Sequence, residues 1–196
     1  LAREARLAAE LAASANVQFP DELTHVSDNP VAQNAMDDQL TQFKERSASI
    51  RAQISILQSR GDQLRQEIEG LDLQRSANEQ QVKFIDDELQ GVRNLYSKSL
   101  VSKSRLLALE RERARLEGEI GRAISDRAKA EKGIGETRLQ IEQTKQKFLE
   151  EASRDLAETR EKLRDLRNKY VVAADALQRL DIFTPVTGRV QSLKVF

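Results

Sequence analysis

The sequence of 196 residues lacks cysteine and tryptophan and has only three prolines and one histidine. The absence of cysteine excludes disulfides and thiolate metal sites, and a lone histidine offers little for catalysis or metal binding. Aromatic residues make up 4% of the chain, too few for the core of a compact enzyme of this length. The composition therefore predicts a protein that is not an enzyme and that has no metal and no cofactor.

Neither sign of charge is in excess, because 32 Lys and Arg balance 32 Asp and Glu. Nucleic-acid binding generally needs a surplus of basic residues that neutralise phosphates, so we expect no nucleic-acid partner. No apolar run is longer than residues 170–174, and none is therefore long enough to span a bilayer. Charged residues, 33% of the chain, are instead combined with many Ala, Leu and Gln, a composition typical of long helices and coiled coils.

A heptad pattern fills the long span without proline between Pro30 and Pro185. Apolar residues recur there at alternating spacings of three and four, as in a coiled coil. One seam of such positions runs from Met36 to Val92, and a second runs from Leu106 to Leu180. We predict an ascending helix over 31–96 and a descending helix over 105–181, each roughly 90–110 Å long at 1.5 Å per residue.

Shorter segments flank the two helices. Residues 1–14 have the composition of the end of a first helix, and 15–30, with two prolines, that of a loop. Residues 182–196 change character, with a turn after Pro185 and β-prone residues that predict a strand. A single strand is unstable alone, so the sequence is expected to be a fragment of a longer protein. The predicted fold class is all-α, a long antiparallel coiled-coil hairpin with a third short helix and a C-terminal strand.

The link over 97–104 decides between a hairpin and a rod. It contains four serines, which favour turns and helix caps, and either Ser102 or Ser104 is expected to cap the second helix. The heptad phase nevertheless continues through the link, so a parallel coiled-coil tether or filament segment without a turn remains the alternative. In a hairpin that reverses near residue 99, position 31 lies opposite about 167, which leaves 168–181 to lie beside residues 1–14.

The link also has an unusual composition for a connector. Residues 91–105 contain four basic residues and no acidic one, and three apolar residues lie at the turn: Arg93, Lys98, Lys103 and Arg105 with Leu95, Leu100 and Val101. Cations suit the C-terminal end of a helix through its dipole, which is one explanation. The other is a docking surface, because apolar residues exposed together mark binding sites.

Polar residues and glycines interrupt the heptad pattern. The seam includes Arg75, Asn78, Arg113 and Arg127, which either set the register of the helices or face neighbouring subunits or a water-filled lumen. Four glycines lie on the second helix: Gly118, Gly121, Gly133 and Gly135. They do not form a phosphate-binding loop, because no strand precedes them and no Gly-Lys-Ser/Thr follows. They are expected to permit close approach between helices.

The hairpin, the tip spacing Leu95-x6-Ser102 and the ending Arg179-Leu-Asp-Ile-x-x-Pro-x-x-Gly-x-Val190 occur together. In these features the chain resembles the periplasmic adaptor proteins of type I secretion, the haemolysin D family, and particularly the branch that serves protease and lipase exporters. The resemblance implies that residues 182–196 begin a lipoyl-like half-motif, in which only the fold is shared and no lipoylation is implied. It also implies a docking tip, in which Leu95 and Ser102 match the Leu and Ser of the family pattern Arg-x3-Leu-x6-Ser.

The arginine of that pattern falls on Gly91, so Arg93 and Lys103 enter the docking tip only as neighbours of the motif. Lys98, Leu100 and Val101 belong to the docking tip as basic and apolar residues of the turn. The implied function is a non-enzymatic adaptor that links an inner-membrane ABC transporter to a TolC-like outer-membrane channel. Such adaptors are homo-oligomers, usually hexamers, and form a conduit for an exported protein. The implied location is the periplasmic portion of a Gram-negative protein anchored in the inner membrane.

Overall fold

The computed structural model describes residues 1–25, 29–179 and 188–189. These residues form helices α1 (Ala2–Leu11), α2 (Asp21–Thr24), α3 (Pro30–Ser97) and α4 (Lys103–Gln178) and no strand. The long helical hairpin of the predicted all-α class is confirmed, whereas the predicted C-terminal strand lies outside the described residues. The chain divides into a terminal unit, residues 1–44 with 149–196, and a hairpin unit, Glu45–Phe148.

The segment predicted as a loop, 15–30, contains two helical features. Helix α2 lies within it, where the Pro20 carbonyl accepts hydrogen bonds from the amides of Leu23 and Thr24. Pro30 is the first residue of α3 rather than the last residue of the loop. Asn29 caps this helix, because its Oδ1 accepts a hydrogen bond of 2.9 Å from the amide of Val31. Proline suits the first helical position, where no amide hydrogen is needed.

Ion pairs between α3 and α4 show that the helices of the hairpin unit run antiparallel. Asp72 on α3 pairs with Arg127 on α4 at 3.1 Å, and Asp86 on α3 pairs with Arg113 on α4 at 2.6 Å. The later residue of α3, Asp86, pairs with the earlier residue of α4, Arg113. This order of partners is possible only if the chain reverses between the helices. The structure therefore contradicts the alternative of an unbroken rod.

The predicted seams form the contact between the helices. Every seam position from Met36 to Val92 is buried or half-buried, and so is every one from Leu106 to Leu163. Leu89 and Leu116 are fully buried within the hairpin unit. The heptad assignment is confirmed over these ranges, because the helices of a coiled coil bury the residues of their seam against each other.

The end of the second seam is not buried as predicted. Leu166, Tyr170 and Leu177 are exposed by 62%, 75% and 67%, and the expected partner α1 contacts residues of α4 that come before 168. Helix α1 instead packs further back along α4, where its Leu7 forms a small core with Ala152 and Leu156.

Small and charged residues explain the position of α1 in the terminal unit. Ala152 is completely buried against Leu7, so a larger side chain at that position would not fit. Glu4 accepts a hydrogen bond of 2.9 Å from Arg160 on α4, and the buried Arg6 donates one of 2.8 Å to Gln39 on α3. Helix α1 thus packs against both long helices. The prediction from segment lengths was wrong because it took no account of these side chains.

Candidate functional site at the hairpin tip

Helix α3 ends in a Schellman motif. The amide of Leu100 donates to the Leu95 carbonyl at 3.0 Å, and the amide of Ser99 donates to the Tyr96 carbonyl at 2.9 Å. Ser99 has a φ of 61°, in the left-handed region that glycine usually occupies in this motif. The motif fixes the direction in which the chain leaves α3 and places Leu95 and Leu100 at the two ends of one backbone hydrogen bond.

Ser99→Gly is expected to stabilise the turn. A residue with a Cβ in the left-handed conformation costs about 1 kcal/mol relative to glycine, offset in part by the greater flexibility of unfolded glycine. The substitution should raise the free energy of unfolding by about 0.5–1 kcal/mol, measured by urea denaturation followed by circular dichroism. Ser97→Gly, inside the last turn of α3, is the control and should lower it. An equal loss of stability in both variants would contradict the prediction.

Helix α4 begins directly after Ser102. The amide of Arg105 donates to the Ser102 carbonyl at 3.1 Å, and the hydroxyls of Ser102 and Ser104 are 2.9 Å apart and share a hydrogen bond. Of the two serines predicted to cap α4, Ser102 is therefore the one at the N-cap position, directly before the first helical residue. Its side chain is exposed, so a docking partner can reach the hydroxyl.

Apolar side chains are exposed on both sides of the turn. Leu100 is exposed by 69% and Leu95 by 43%, while Val101 is half-buried. Tyr96 is exposed by 39% and joins them, although the sequence analysis did not assign it to the docking tip. Its position next to Leu95 was the signal, since tyrosine combines an apolar ring with a polar end and is frequent in interfaces. The structure thus brings three aliphatic residues and one tyrosine together at the turn.

The basic residues of the tip fall into two groups. Arg93 pairs with Glu110 at 3.1 Å, and Arg105 pairs with Glu88, so acids just outside residues 91–105 offset both charges. Lys98 and Lys103 are exposed and have no ion pair among the described residues. The helix dipole explains a cation at Lys98, but it disfavours one at Lys103, the first residue of α4. The docking interpretation accounts for both lysines.

Two arginines of the seam are held by the same arrangement of acids. Arg113 contacts Asp86 across the seam at 2.6 Å and Glu117 on its own helix at 3.0 Å. Two heptads later Arg127 contacts Asp72 at 3.1 Å and Glu131 at 2.9 Å. The hydrogen bond from Arg113 to Asp86 raises the pKa of the arginine above its ordinary value, and it stays charged.

The other two polar seam residues also have partners within the chain. Arg75 pairs with Glu79 on its own helix at 3.4 Å, and Asn78 donates to Glu119 across the seam at 3.5 Å. The partner of Asn78 across the seam favours the interpretation that this residue sets the register of the helices, whereas the pair of Arg75 on its own helix does not distinguish the two interpretations.

Of the four glycines on α4, one permits close approach within the chain. A Cβ on Gly133 would lie 3.1 Å from Leu64 Cδ1 on α3, closer than an ordinary contact. A Cβ on Gly118, Gly121 or Gly135 would meet no atom within 4 Å. The predicted role in close helix approach is therefore supported for Gly133. Packing within the chain does not explain the other three glycines.

Two further features are absent from the parts of the chain that the structure describes. Within them, no group of three or more His, Asp or Glu residues is arranged to hold a metal ion. None of the helices in those parts has both the length and the apolar character required to cross a membrane. The candidate functional site is thus a surface made of exposed apolar residues, two unpaired lysines and a serine.

These helices and this turn define a helical-hairpin protein. The chain belongs to the family described as "AprE, long alpha-helical hairpin", whose model matches residues 1–176. It is 34% identical to the type I secretion system membrane fusion protein PrsE of Rhizobium meliloti (strain 1021), over 99% of this chain and 44% of PrsE. It is 28% identical to the alkaline protease secretion protein AprE of Pseudomonas aeruginosa, over 59% of this chain and 27% of that protein. The chain thus spans less than half the length of these curated relatives.

A solved structure has the same fold. The crystal structure of the soluble domain of LipC, a membrane fusion protein of a type I secretion system, matches with a TM-score of 0.89. The match covers 96% of this chain and 88% of the LipC chain at 24% sequence identity. At that identity the likeness concerns the fold of the helical hairpin.

Proposed function

We propose that this chain is the helical hairpin of a periplasmic adaptor subunit in a type I protein secretion system. The adaptor would link an inner-membrane ABC transporter to a TolC-like outer-membrane channel. Membership of the AprE hairpin family and similarity to the type I secretion membrane fusion protein PrsE support this role. The observation that carries it is the turn of the hairpin, where exposed Leu95 and Leu100 lie beside the unpaired Lys98 and Lys103.

The proposed mechanism is geometric and involves no catalysis. The arms of the hairpin unit, residues 45–97 and 103–148, are about 80 and 70 Å long at 1.5 Å per residue. Such arms are suited to span part of the periplasm. In a homo-oligomer, for which we propose a hexamer, weak contacts at each tip add up to firm attachment. The assembled hairpins would line a conduit for the exported protein, and nucleic acid has no part in it.

The proposed protein continues beyond the hairpin. The pattern Pro185-x-x-Gly188-x-Val190 supports a lipoyl-like half-motif over 182–196, in which a C-terminal strand pairs with strands from elsewhere in the full-length protein. The whole protein would be anchored in the inner membrane of a Gram-negative cell, with the hairpin in the periplasm.

We assign the parts of the docking tip as follows. Leu95, Leu100 and Val101 supply apolar contact with the channel, and the Ser102 hydroxyl supplies a hydrogen bond. Lys98 and Lys103 attract acidic groups of the channel, because no acid among the described residues pairs with them. Arg93 supports the tip from one turn away, where its pair with Glu110 connects α3 to α4.

Photo-crosslinking from Ser102 tests the proposal in the full-length protein within its native envelope. A photoreactive residue at Ser102 should form a crosslink to an outer-membrane channel protein, identified by mass spectrometry. The same probe at Ser125, an exposed position about a third of the way along α4, should not capture that protein. Crosslinks from Ser102 only to other copies of this chain, or capture of the channel from both positions, would overturn the assignment.

Reversal of the two unpaired charges should weaken docking. We expect Lys98→Glu combined with Lys103→Glu to lower secretion about tenfold, because several tips of one oligomer lose their attraction together. Arg105→Gln, which removes a cation already paired with Glu88 and given no part in docking, should leave secretion within about twofold. Secreted and retained exported protein are compared by immunoblot. A larger loss from Arg105→Gln than from the lysine variant would show that the wrong cations were assigned.

A further inference from the structure

Two columns of uncharged residues lie on the outside of the hairpin unit. On α3 the column around the exposed Phe84 recurs every seventh residue: Gly70, Ala77, Phe84 and Gly91. On α4 the column that begins at the exposed Leu107 does the same: Leu107, Ala114, Gly121, Ala128 and Gly135. All nine residues are exposed, and Phe84 is exposed by 72%. In a chain that is 33% charged, outward positions without any charge over four heptads or more need an explanation.

The two columns lie on opposite flanks of the hairpin. The pair Arg93–Glu110 joins residues that each follow a core position, which defines one flank. The pair Glu88–Arg105 joins residues that each precede a core position, which defines the other. By heptad position, Leu107 lies on the flank of the first pair and Phe84 on the flank of the second. One hairpin therefore cannot bring its own columns into contact.

Glycine in these columns is unfavourable for the isolated hairpin. Each glycine in an exposed helix interior costs about 1 kcal/mol relative to alanine. A Cβ on Gly70, Gly91, Gly121 or Gly135 would meet nothing within 4 Å in the chain. Alanine would therefore fit at all four positions and stabilise the helices. Close approach of another surface accounts for glycine at these positions. The same surface would also cover the exposed Phe84.

The columns match each other in size when they are compared at the same height along the hairpin. The pairs Asp86–Arg113 and Asp72–Arg127 fix which residues of α3 and α4 lie level. To within about one residue, Phe84 is level with Ala114, Gly91 with Leu107 and Ala77 with Gly121. A large side chain in one column thus faces a small one in the other, which is the condition for close packing.

We propose that the Phe84 column of one copy packs against the Leu107 column of a second copy, side by side and without an axial shift. Because the two surfaces differ, the contact is head to tail and continues from copy to copy. The inference deepens the homo-oligomeric part of the proposed function and rests on it.

Paired cysteines in the full-length protein test this contact in the cell envelope. The 196 residues contain no cysteine, and any cysteine elsewhere in the full-length protein is first replaced. Phe84→Cys combined with Ala114→Cys should give a ladder of dimers, trimers and larger species upon oxidation. A disulfide within one copy is excluded, because the two residues lie on opposite flanks.

Matched variants make the result decisive. Phe84→Cys with Ala128→Cys moves one partner two heptads, about 21 Å, and should give no ladder. Gly121→Leu added to the first pair should weaken the ladder at least several-fold while helix content stays constant. No ladder from the first pair, an equal ladder from the shifted pair, or dimers from Phe84→Cys alone would overturn the contact. A ladder without capture of a channel from Ser102 would instead overturn only the docking proposal.

Discussion

Leu95→Asp is expected to abolish secretion while the helices remain intact. Leu95 is exposed by 43% at the last turn of α3, and its part in the Schellman motif is made by its backbone carbonyl. Aspartate keeps that hydrogen bond but places a charge where an apolar contact with the channel is proposed, which costs several kcal/mol if the site becomes buried. In an oligomer the loss is repeated at every tip, so we expect secretion to fall at least about a hundredfold.

Leu139→Asp is the matched control for this experiment. Leu139 lies on α4 in the hairpin unit, is exposed by 58%, and belongs neither to the tip nor to the paired columns. Its replacement should leave secretion within about twofold, since isolated exposed apolar residues contribute little. The exported protein in the medium is quantified, and circular dichroism reports helix content for both variants. Unimpaired secretion with Leu95→Asp would remove the tip from the docking assignment.

Leu116→Ala is expected to destabilise the hairpin by about 2–4 kcal/mol, as large-to-small substitutions in cores do. Leu116 is exposed by only 1% and lies in the seam, so its loss leaves a cavity between α3 and α4. Urea denaturation followed by circular dichroism gives the change in the free energy of unfolding. Leu139→Ala, an exposed substitution of the same type on the same helix, should change it by less than about 0.5 kcal/mol. Equal effects would contradict the seam assignment.

The hairpin could be predicted from the sequence because its stability comes from apolar contacts that repeat at a regular spacing along each helix. Each seam residue such as Leu89 or Leu116 lies three or four residues from the next, so the pattern alone shows which face of the helix is buried. Helix α1 could not be placed in this way. Its position depends on the fit of Leu7 against Ala152 and on the pair of Glu4 with Arg160, contacts between residues far apart in the sequence.

The docking tip could be predicted only in part for a similar reason. Composition identified the cluster of basic and apolar residues, and spacing identified Leu95 and Ser102 as matches to the family pattern. Composition did not show which cations are paired. Glu88 and Glu110 lie outside the basic segment, residues 91–105, in the sequence, but the fold places them in contact with two of its arginines. The left-handed conformation of Ser99 was hidden as well, since glycine is the residue that normally signals it.

The order of charges along α3 beside the seam makes slippage between the helices costly. At heptad spacing this order is Arg65, Asp72, Glu79, Asp86 and Arg93. A slip of one heptad in one direction would bring Arg113 to Arg93, and a slip in the other would bring Arg127 to Arg65. Either slip places like charges together, and of these three registers only the observed one gives both Arg113 and Arg127 an acid across the seam. The charges beside the seam thus oppose sliding of α3 along α4, and a force along the hairpin would be transmitted by both helices together.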